Sequence, residues 1–197
     1  MSTTRKVPFF DYPRLYSDDR EMLIATLEEV GARGAYIMQK DLVEFETRLA
    51  KYTGAQHAVG VGNATDGLEF GWMAIGLKAG DEVILSSHTM LATASAVITA
   101  GGTPVPVEIG DDNLIDPAAV EAAITDKTTC ILATHVFGNP CHVEAIEKIA
   151  KKHNLSVIYD AAHCFGVTYN NNSIFNFGDV STCSFHATKI FHTGEGG

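Results

Sequence analysis

Residues 130–160, CILATHVFGNPCHVEAIEKIAKKHNLSVIYD, contain the pattern that decides the fold class. The apolar run Cys130–Thr134 predicts a strand, the apolar spacing of Val143–His153 predicts a helix, and Leu155–Tyr159 predicts a second strand that ends at Asp160. Two strands joined through a helix of this length need a crossover connection, and such a connection makes the strands parallel.

The same alternation extends along most of the chain. Further strands are predicted at His57–Val61, Val83–Leu85, Pro104–Val107 and Val180–Phe185, and further helices through Leu68 and Trp72 to Gly76, at Ala92–Ala100, and from Asp116-Pro117. We therefore predict an α/β fold with a mostly parallel sheet flanked by helices on both faces. Ligands of such sheets bind beyond the carboxyl ends of the strands, so functional residues are expected there.

The first 56 residues have a different pattern, which predicts an N-terminal helical segment. The opening to about Tyr16 is irregular, Ser17 is expected to start one helix, and a second helix fits Leu42–Tyr52 and ends at Gly54. Residues 57–197 are predicted to form one large α/β domain.

Composition and charge exclude several classes of function. The 197 residues contain 14 Lys and Arg against 24 Asp and Glu, and a formal charge of −10 argues against nucleic acid or an anionic membrane as the main partner. No signal-peptide pattern and no run of roughly 20 apolar residues is present. The four cysteines form no C-x-x-C pair, so we predict buried thiols, no zinc site and a reducing cytoplasmic location.

A glycine-rich turn follows the first predicted strand. Residues 60–67, GVGNATDG, open a helix, and the free backbone N–H groups at such a helix start suit a phosphate, with Thr65 as a further hydroxyl donor. The spacing departs from G-x-G-x-x-G, and no G-K-[ST] follows. A plain turn remains the alternative interpretation.

Two polar residues follow the strand at Leu155–Tyr159. Asp160 stands at its carboxyl end, where a carboxylate faces a cofactor ring or a metal, or caps the next turn. His163 comes three residues later and is either structural or functional. The D-x-x-H spacing also suits a metal pair, but no third ligand stands nearby in the sequence, so no metal site is predicted.

Lys189 lies in residues 183–197, CSFHATKIFHTGEGG, just after the last predicted strand. It is flanked by Ile190 and Phe191, and burying an ammonium among apolar groups is costly. A desolvated lysine becomes an amine nucleophile of the kind that forms Schiff bases. The alternative is an exposed lysine in a loop.

Taken together, these residues point to one cofactor. Pyridoxal phosphate (PLP) needs a lysine for its aldehyde, an anion site for its phosphate and a carboxylate at its ring nitrogen. The chain has all three after predicted strands, in the order residues 60–67, Asp160 and Lys189. We therefore predict a PLP site.

The sequence resembles the DegT/DnrJ/StrS family of PLP-dependent nucleotide-sugar aminotransferases along nearly its whole length. The matching segments include GNATDGLE, AGDEVILSSHTMLATASAV, GGTPVPVEI, NLIDPAAVEAAIT, IEKIAKKHNLSVIYDAAHCFG, FGDVSTCSF and HATKIFHTGEGG. The resemblance implies the large-domain portion of an aspartate-aminotransferase-like fold (PLP fold type I). Family members are about twice as long, with a C-terminal small domain that this chain does not include.

The resemblance implies a role for each matching position. Lys189 would hold the cofactor and move protons, Asp160 would pair with the pyridine nitrogen, and His163 would contact the ring or its 3′-oxygen. Ser184 belongs to the implied phosphate site.

Residues of the glycine-rich turn complete the implied cofactor site. Thr65 and the Asp66 backbone would hold the phosphate together with Ser184, and Ala64 belongs to the same cofactor-binding set. Met90 falls where relatives place an aromatic ring stacked on the cofactor, and a thioether packs on such a face too.

The resemblance also implies the reaction and its partners. Glutamate would donate its amino group, and a nucleoside-diphosphate-linked ketosugar would accept it, with the HATK and GEGG segments favouring C-4 of the sugar. A homodimer is expected. Two alternatives stay open: a non-catalytic PLP-fold binding or regulatory protein, and a nucleotide-binding oxidoreductase that uses residues 60–67 and does not need Lys189.

Overall fold

The computed structural model describes residues 6–197, and the chain divides into two compact units between Thr47 and Arg48. The first five residues of the predicted N-terminal segment lie outside the described residues. Two helices form most of the N-terminal region, α1 at Tyr12–Ala32 and α2 at Lys40–Thr53. The domain boundary predicted between residues 56 and 57 stays a prediction.

The start of the first helix differs from the prediction. A start at Ser17 is wrong, because α1 begins at Tyr12, where the Asp11 carboxylate accepts a hydrogen bond from the Arg14 amide at 3.3 Å. Pro13 is tolerated in the first turn, where its missing N–H has no helical partner to lose. The second helix is confirmed, and Gly54 follows it with a φ of +70°.

The larger unit contains a sheet of five parallel strands. They are β1 (Glu82–Ser86), β2 (Thr103–Val107), β3 (Thr128–Thr134), β4 (Ser156–Asp160) and β7 (Val180–Thr182), in the order β2-β1-β3-β4-β7. A hairpin of β5 (Thr168–Tyr169) and β6 (Asn172–Ser173) lies between β4 and β7 in sequence. All four strand pairs of the sheet are parallel, so the predicted fold class is confirmed.

Helices cover both faces of this sheet. On one face, α3 (Ala64–Ile75) and α4 (Leu91–Thr99) share a core with Val83 and Leu85 of β1. On the other face, α5 (Pro117–Ala122) and α6 (Val143–His153) pack with Ile84. Alternate residues of one strand thus face two separate cores, as expected for a sheet buried on both sides.

Two predicted strands need correction. His57–Val61 is not a strand; Val61 exchanges two backbone hydrogen bonds with Gly197 at 3.0 and 3.2 Å. The last strand ends at Thr182 rather than Phe185, because the Phe185 amide donates to Gly196 instead of to the sheet.

Within residues 6–197, no helix is long and apolar enough to cross a membrane. The four cysteines are free thiols, and three of them are buried as predicted (Cys130, Cys141 and Cys164).

Candidate active site

Asp160 occupies the carboxyl end of β4 and is buried, with 6% of its surface exposed. Its Oδ2 accepts a hydrogen bond from Thr93 Oγ1 at 2.7 Å, and its Oδ1 accepts one from the Ala162 amide at 3.1 Å. These donors come from α4 and from the turn after β4, so two elements orient the carboxylate. Asp160 thus caps the turn after β4, as one interpretation of the sequence expected, and its role beside a cofactor ring stays a prediction.

The loop that carries Lys189 is closed by backbone hydrogen bonds. Phe185 donates to Gly196 at 2.9 Å and accepts from Thr193 at 2.9 Å, and Ala187 donates to Gly194 at 2.8 Å. These bonds hold residues 185–196 as a compact loop directly after β7. Lys189 is half-buried within it.

Stacked aromatic rings anchor this loop. Phe191 lies 4.4 Å from Phe165 with rings 15° from parallel, and Tyr52 stacks on Phe165 at 5.2 Å. Phe185 contacts Phe165 and Phe191 edge-on. Aromatic pairs of this kind stabilise a fold beyond their buried area, so the position of the loop is fixed close to its lysine.

A cavity of about 200 Å³ lies beside Lys189. Its walls include His163, Ser184 and Lys189, with Phe137, Phe165 and Ile190 as apolar neighbours. The structure therefore brings three of the predicted site residues together around one space. The other predicted site residues are not among those that line it: Ala64, Thr65, Asp66, Met90 and Asp160.

His163 is held by a backbone contact that the sequence did not reveal. Its Nδ1 accepts a hydrogen bond from the Phe137 amide at 3.2 Å, and the two rings are parallel within 3° at 6.1 Å. Partial burial lowers the pKa of His163, the positive charge of Lys189 lowers it further, and Asp160 opposes the shift. A neutral imidazole with this acceptor carries its proton on Nε2, which makes Nε2 the donor available to a ligand.

Phe137 adopts a φ of +55°, which is uncommon for a bulky residue. Backbone strain of this kind occurs often at functional sites. The amide of this residue is the one that donates to His163, which is 26 residues away in the sequence.

The start of α3 forms the second part of the predicted cofactor site. Asn63 caps the helix by accepting the Asp66 amide at 3.0 Å, so the Asp66 N–H already has a protein partner. The amides of Ala64 and Thr65 precede the first helical hydrogen bonds and lie at the positive end of the helix dipole.

Small residues place α3 close to the sheet. A Cβ on Gly67 would lie 3.4 Å from Thr182 Cγ2, and a Cβ on Gly71 would lie 3.4 Å from side chains of Ile158 and Val180. Helix α3 therefore packs directly on β4 and β7. The pairing of Val61 with Gly197 also joins the glycine-rich turn to the end of the Lys189 loop.

Met90 and Thr93 lie at the start of α4, after β1. Met90 precedes the first residue of the helix and is 71% exposed, which leaves its side chain available to a ligand. Thr93 lies less than one turn later and is fully buried against Asp160. Sequence reasoning missed Thr93; the available signal was a threonine within an apolar helix start.

Comparisons with known proteins agree with this geometry. The DegT/DnrJ/EryC1/StrS aminotransferase family profile matches residues 17–197. A pleiotropic regulatory protein of Geobacillus stearothermophilus is 38% identical over 97% of this chain and 52% of its own length. A dTDP-3-amino-3,4,6-trideoxy-alpha-D-glucose transaminase of Streptomyces venezuelae is 37% identical over 98% of this chain and 52% of its own length.

A solved structure extends the match to three dimensions. S. venezuelae DesV, crystallised in complex with a ketimine intermediate, has a TM-score of 0.94 at 36% identity, covering 98% of this chain and 53% of that one. The chain thus belongs to the DegT/DnrJ/EryC1/StrS aminotransferase family. It spans about half the length of the curated relatives that it matches.

The cofactor of this family is pyridoxal phosphate, since matched structures carry PLP or its amino form, PMP. The residues present fit that group. Among residues 6–197, none of the ion pairs found involves Asp160, and a buried carboxylate without a cation is costly. The protonated ring nitrogen of PLP would supply a partner of the opposite charge. No cluster of three His, Cys, Asp or Glu residues suited to a metal ion occurs in the same part of the chain.

Proposed function

We propose that the protein transfers the amino group of glutamate to a nucleoside-diphosphate-linked ketosugar, using PLP. The observation that carries the proposal is the cavity lined by Lys189, His163 and Ser184, together with the buried carboxylate of Asp160 at the end of β4, three residues before His163. The name of the Streptomyces relative supports a nucleotide sugar as the substrate. Amination at C-4, a homodimer and a cytoplasmic location belong to the proposal as well.

Each side chain would have a distinct task. Lys189 Nζ would hold the cofactor and then move a proton to and from the substrate carbon. Asp160 would accept the ring N–H and thereby keep the ring nitrogen protonated. When bound, PLP supplies an aldehyde for amines and a ring that accepts the electron pair released at the neighbouring carbon.

The remaining predicted residues would position the cofactor. His163 Nε2 would donate to the 3′-oxygen, because Nδ1 is already an acceptor for the Phe137 amide. The Ala64 and Thr65 amides, the Thr65 hydroxyl and Ser184 would hold the phosphate at the positive end of α3. The Asp66 amide would contribute by its hydrogen bond to Asn63, which fixes the start of α3. Met90 would pack on the face of the cofactor ring.

Lys189→Ala tests the proposal most directly in the full-length protein. We expect loss of the visible absorbance of bound PLP and loss of 2-oxoglutarate formation from glutamate, because no other amine is expected to replace Nζ. Lys148→Ala, on the exposed side of α6, is the matched control and should keep both. If the Lys189→Ala variant has the same visible absorbance spectrum as the wild type, Lys189 is not the residue to which PLP is attached.

The substrate is tested with a panel of nucleotide sugars. Purified protein, PLP and glutamate are mixed with 3-keto and 4-keto sugars on dTDP, GDP and UDP, and 2-oxoglutarate and amino sugar are measured. The 3-keto arm is needed because the Streptomyces relative is named for a 3-amino sugar. PLP binding without turnover of any sugar would favour a regulatory protein, and binding of nicotinamide nucleotide in place of PLP would favour an oxidoreductase. Light scattering measures the proposed homodimer.

A further inference from the structure

Three threonine hydroxyls form a continuous hydrogen-bonded chain that ends on Asp160. Thr134 Oγ1 lies 2.8 Å from Thr89 Oγ1, Thr89 Oγ1 lies 2.9 Å from Thr93 Oγ1, and Thr93 Oγ1 lies 2.7 Å from Asp160 Oδ2. The three residues come from the end of β3, the loop after β1 and the start of α4. Three separate elements thus meet at one carboxylate.

The direction of the hydrogen bonds follows from the number of protons. An ionised carboxylate only accepts, so the single hydroxyl proton of Thr93 points at Asp160. Thr93 Oγ1 is then an acceptor for Thr89, and Thr89 Oγ1 is in turn an acceptor for Thr134. All three hydroxyl dipoles therefore point towards the negative charge.

Burial makes this alignment effective. Thr93 is completely buried, Thr134 and Asp160 are nearly so, and Thr89 is half-buried. Hydrogen bonds shielded from water strengthen one another along a chain, so the outer hydroxyls act on Asp160 through Thr93. The Ala162 amide holds the other oxygen, which fixes the plane of the carboxylate.

We propose that Thr134, Thr89 and Thr93 are positioning residues that hold the Asp160 carboxylate oriented towards the ring nitrogen of PLP. This inference rests on the proposed function. It assigns a role to three residues that would not touch the cofactor, and it explains why a hydroxyl is needed within the apolar start of α4.

The test compares four variants of the full-length protein. Thr93→Val removes the donor to Asp160, and Thr89→Val removes the middle of the chain without touching Asp160. Thr93→Ser keeps the hydroxyl. Thr129→Val is the matched control, because Thr129 lies on β3 like Thr134 but its buried hydroxyl has no hydrogen-bond partner within the described part of the chain.

Two readouts distinguish positioning from simple structural support. The first is the pH profile of the visible band of bound PLP. If the ring nitrogen is protonated in a smaller fraction of the molecules, there is less positive charge near the bond between PLP and the lysine. The pH midpoint at which the visible band changes should therefore move up by about 0.5 to 1 unit in Thr93→Val. The second is kinetics, where kcat should fall about tenfold or more while KM changes little, since the chain acts on the cofactor.

The expected order of effects is Thr93→Val, then Thr89→Val, with Thr93→Ser and Thr129→Val close to wild type. A wild-type pH profile and a wild-type kcat in folded Thr89→Val would overturn the inference, because they would show that the hydroxyl of Thr89 has no effect on Asp160 through Thr93. If Thr93→Val does not fold, Thr89→Val and Thr93→Ser still decide the question. A wild-type protein that binds no PLP would instead refute the proposed function itself, and this inference with it.

Discussion

His135 and Asp160 are two buried titratable residues at the carboxyl ends of neighbouring strands, and the His135 amide donates to the Asp160 carbonyl at 3.0 Å. Their side chains have opposite surroundings. Asp160 accepts donors from two elements and has none of the ion pairs found among residues 6–197. The His135 ring stacks on Tyr159 at 4.5 Å, Nδ1 accepts the Cys141 amide, and Nε2 has no partner among the described residues.

This difference teaches what burial does and does not indicate. Both groups are shielded from water, but only the carboxylate is surrounded by aligned donors that stabilise a charge. Burial lowers the pKa of His135 to about 4, so the imidazole is neutral at pH 7 and serves packing. Activity should therefore depend on Asp160, and stability should depend on His135.

The largest expected effect is that of Asp160→Asn on activity. A neutral amide cannot balance a protonated ring nitrogen, so kcat should fall about 10²- to 10⁴-fold in a steady-state assay with glutamate. Asp126→Asn changes an exposed aspartate in the same way and should leave kcat unchanged. A kcat within threefold of wild type for Asp160→Asn corresponds to a change of about 0.6 kcal/mol at most in the activation free energy. Such a result would contradict the distinction between Asp160 and His135.

The pH dependence of stability tests the other half of the comparison. The folded state lowers the pKa of His135 from 6.5 to about 4, so the unfolded chain takes up this proton first as the pH falls. The stabilisation is complete above pH 6.5 and is lost progressively down to about pH 4, by up to about 3 kcal/mol. Urea unfolding of wild type and of His135→Phe is followed by circular dichroism at several pH values. The difference between the two proteins measures how much His135 contributes to the change in the free energy of unfolding with pH.

His135→Phe keeps a ring on Tyr159 but cannot titrate, so its free energy of unfolding should fall less steeply with acid than that of wild type. Its stability at pH 7 should be lower, because the buried Cys141 amide loses its acceptor. Equal slopes for the two proteins would mean that His135 does not titrate at a lowered pKa.

A smaller effect is expected from Gly178→Ala, because this residue lies next to Tyr159, the ring on which His135 stacks. Gly178 has a φ of +74°, and a Cβ there would lie 2.9 Å from Val157 O and from Tyr159 Cδ2. We expect a loss of about 2 kcal/mol in stability with little change in kcat. Thermal unfolding and the glutamate assay provide the two measurements.

Gly80→Ala is the control that separates backbone strain from steric clash in the effect of Gly178→Ala. Gly80 has a φ of +90°, and a Cβ there would have no neighbouring atom within 4 Å, so the substitution should cost only the backbone strain of about 1 kcal/mol. Equal losses at the two glycines would show that the Tyr159 ring yields easily, and that the His135 stack is looser than its geometry implies.

Much of the fold was predictable because it depends on local pattern. The alternation of apolar strands and helices specified the parallel sheet, and Asp160 and Lys189 lie at or after the ends of strands as predicted. The start of α1 was missed because Asp11 and Pro13 formed a better helix start than Ser17. The strand predicted at His57–Val61 was wrong because a strand needs a neighbouring strand to pair with, and Val61 pairs instead with Gly197 at the end of the Lys189 loop.

The supporting residues of the site were not predictable in the same way. Thr93 and Phe137 have ordinary sequence surroundings, and their importance comes from partners 67 and 26 residues away. Contacts of that separation depend on how helices and strands pack, so local periodicity does not contain them. The roles of all the predicted site residues in cofactor binding and catalysis stay predictions: Ala64, Thr65, Asp66, Met90, Asp160, His163, Ser184 and Lys189.

The reciprocal pairing of Val61 with Gly197 has a kinetic consequence. These residues are separated by well over half of the chain, and bringing distant segments together carries a large loop-closure cost that slows folding. The glycine-rich turn and the Lys189 loop are therefore joined by the same late event. A chain emerging from the ribosome would form its helices and its first parallel strands well before Val61 and Gly197 can pair.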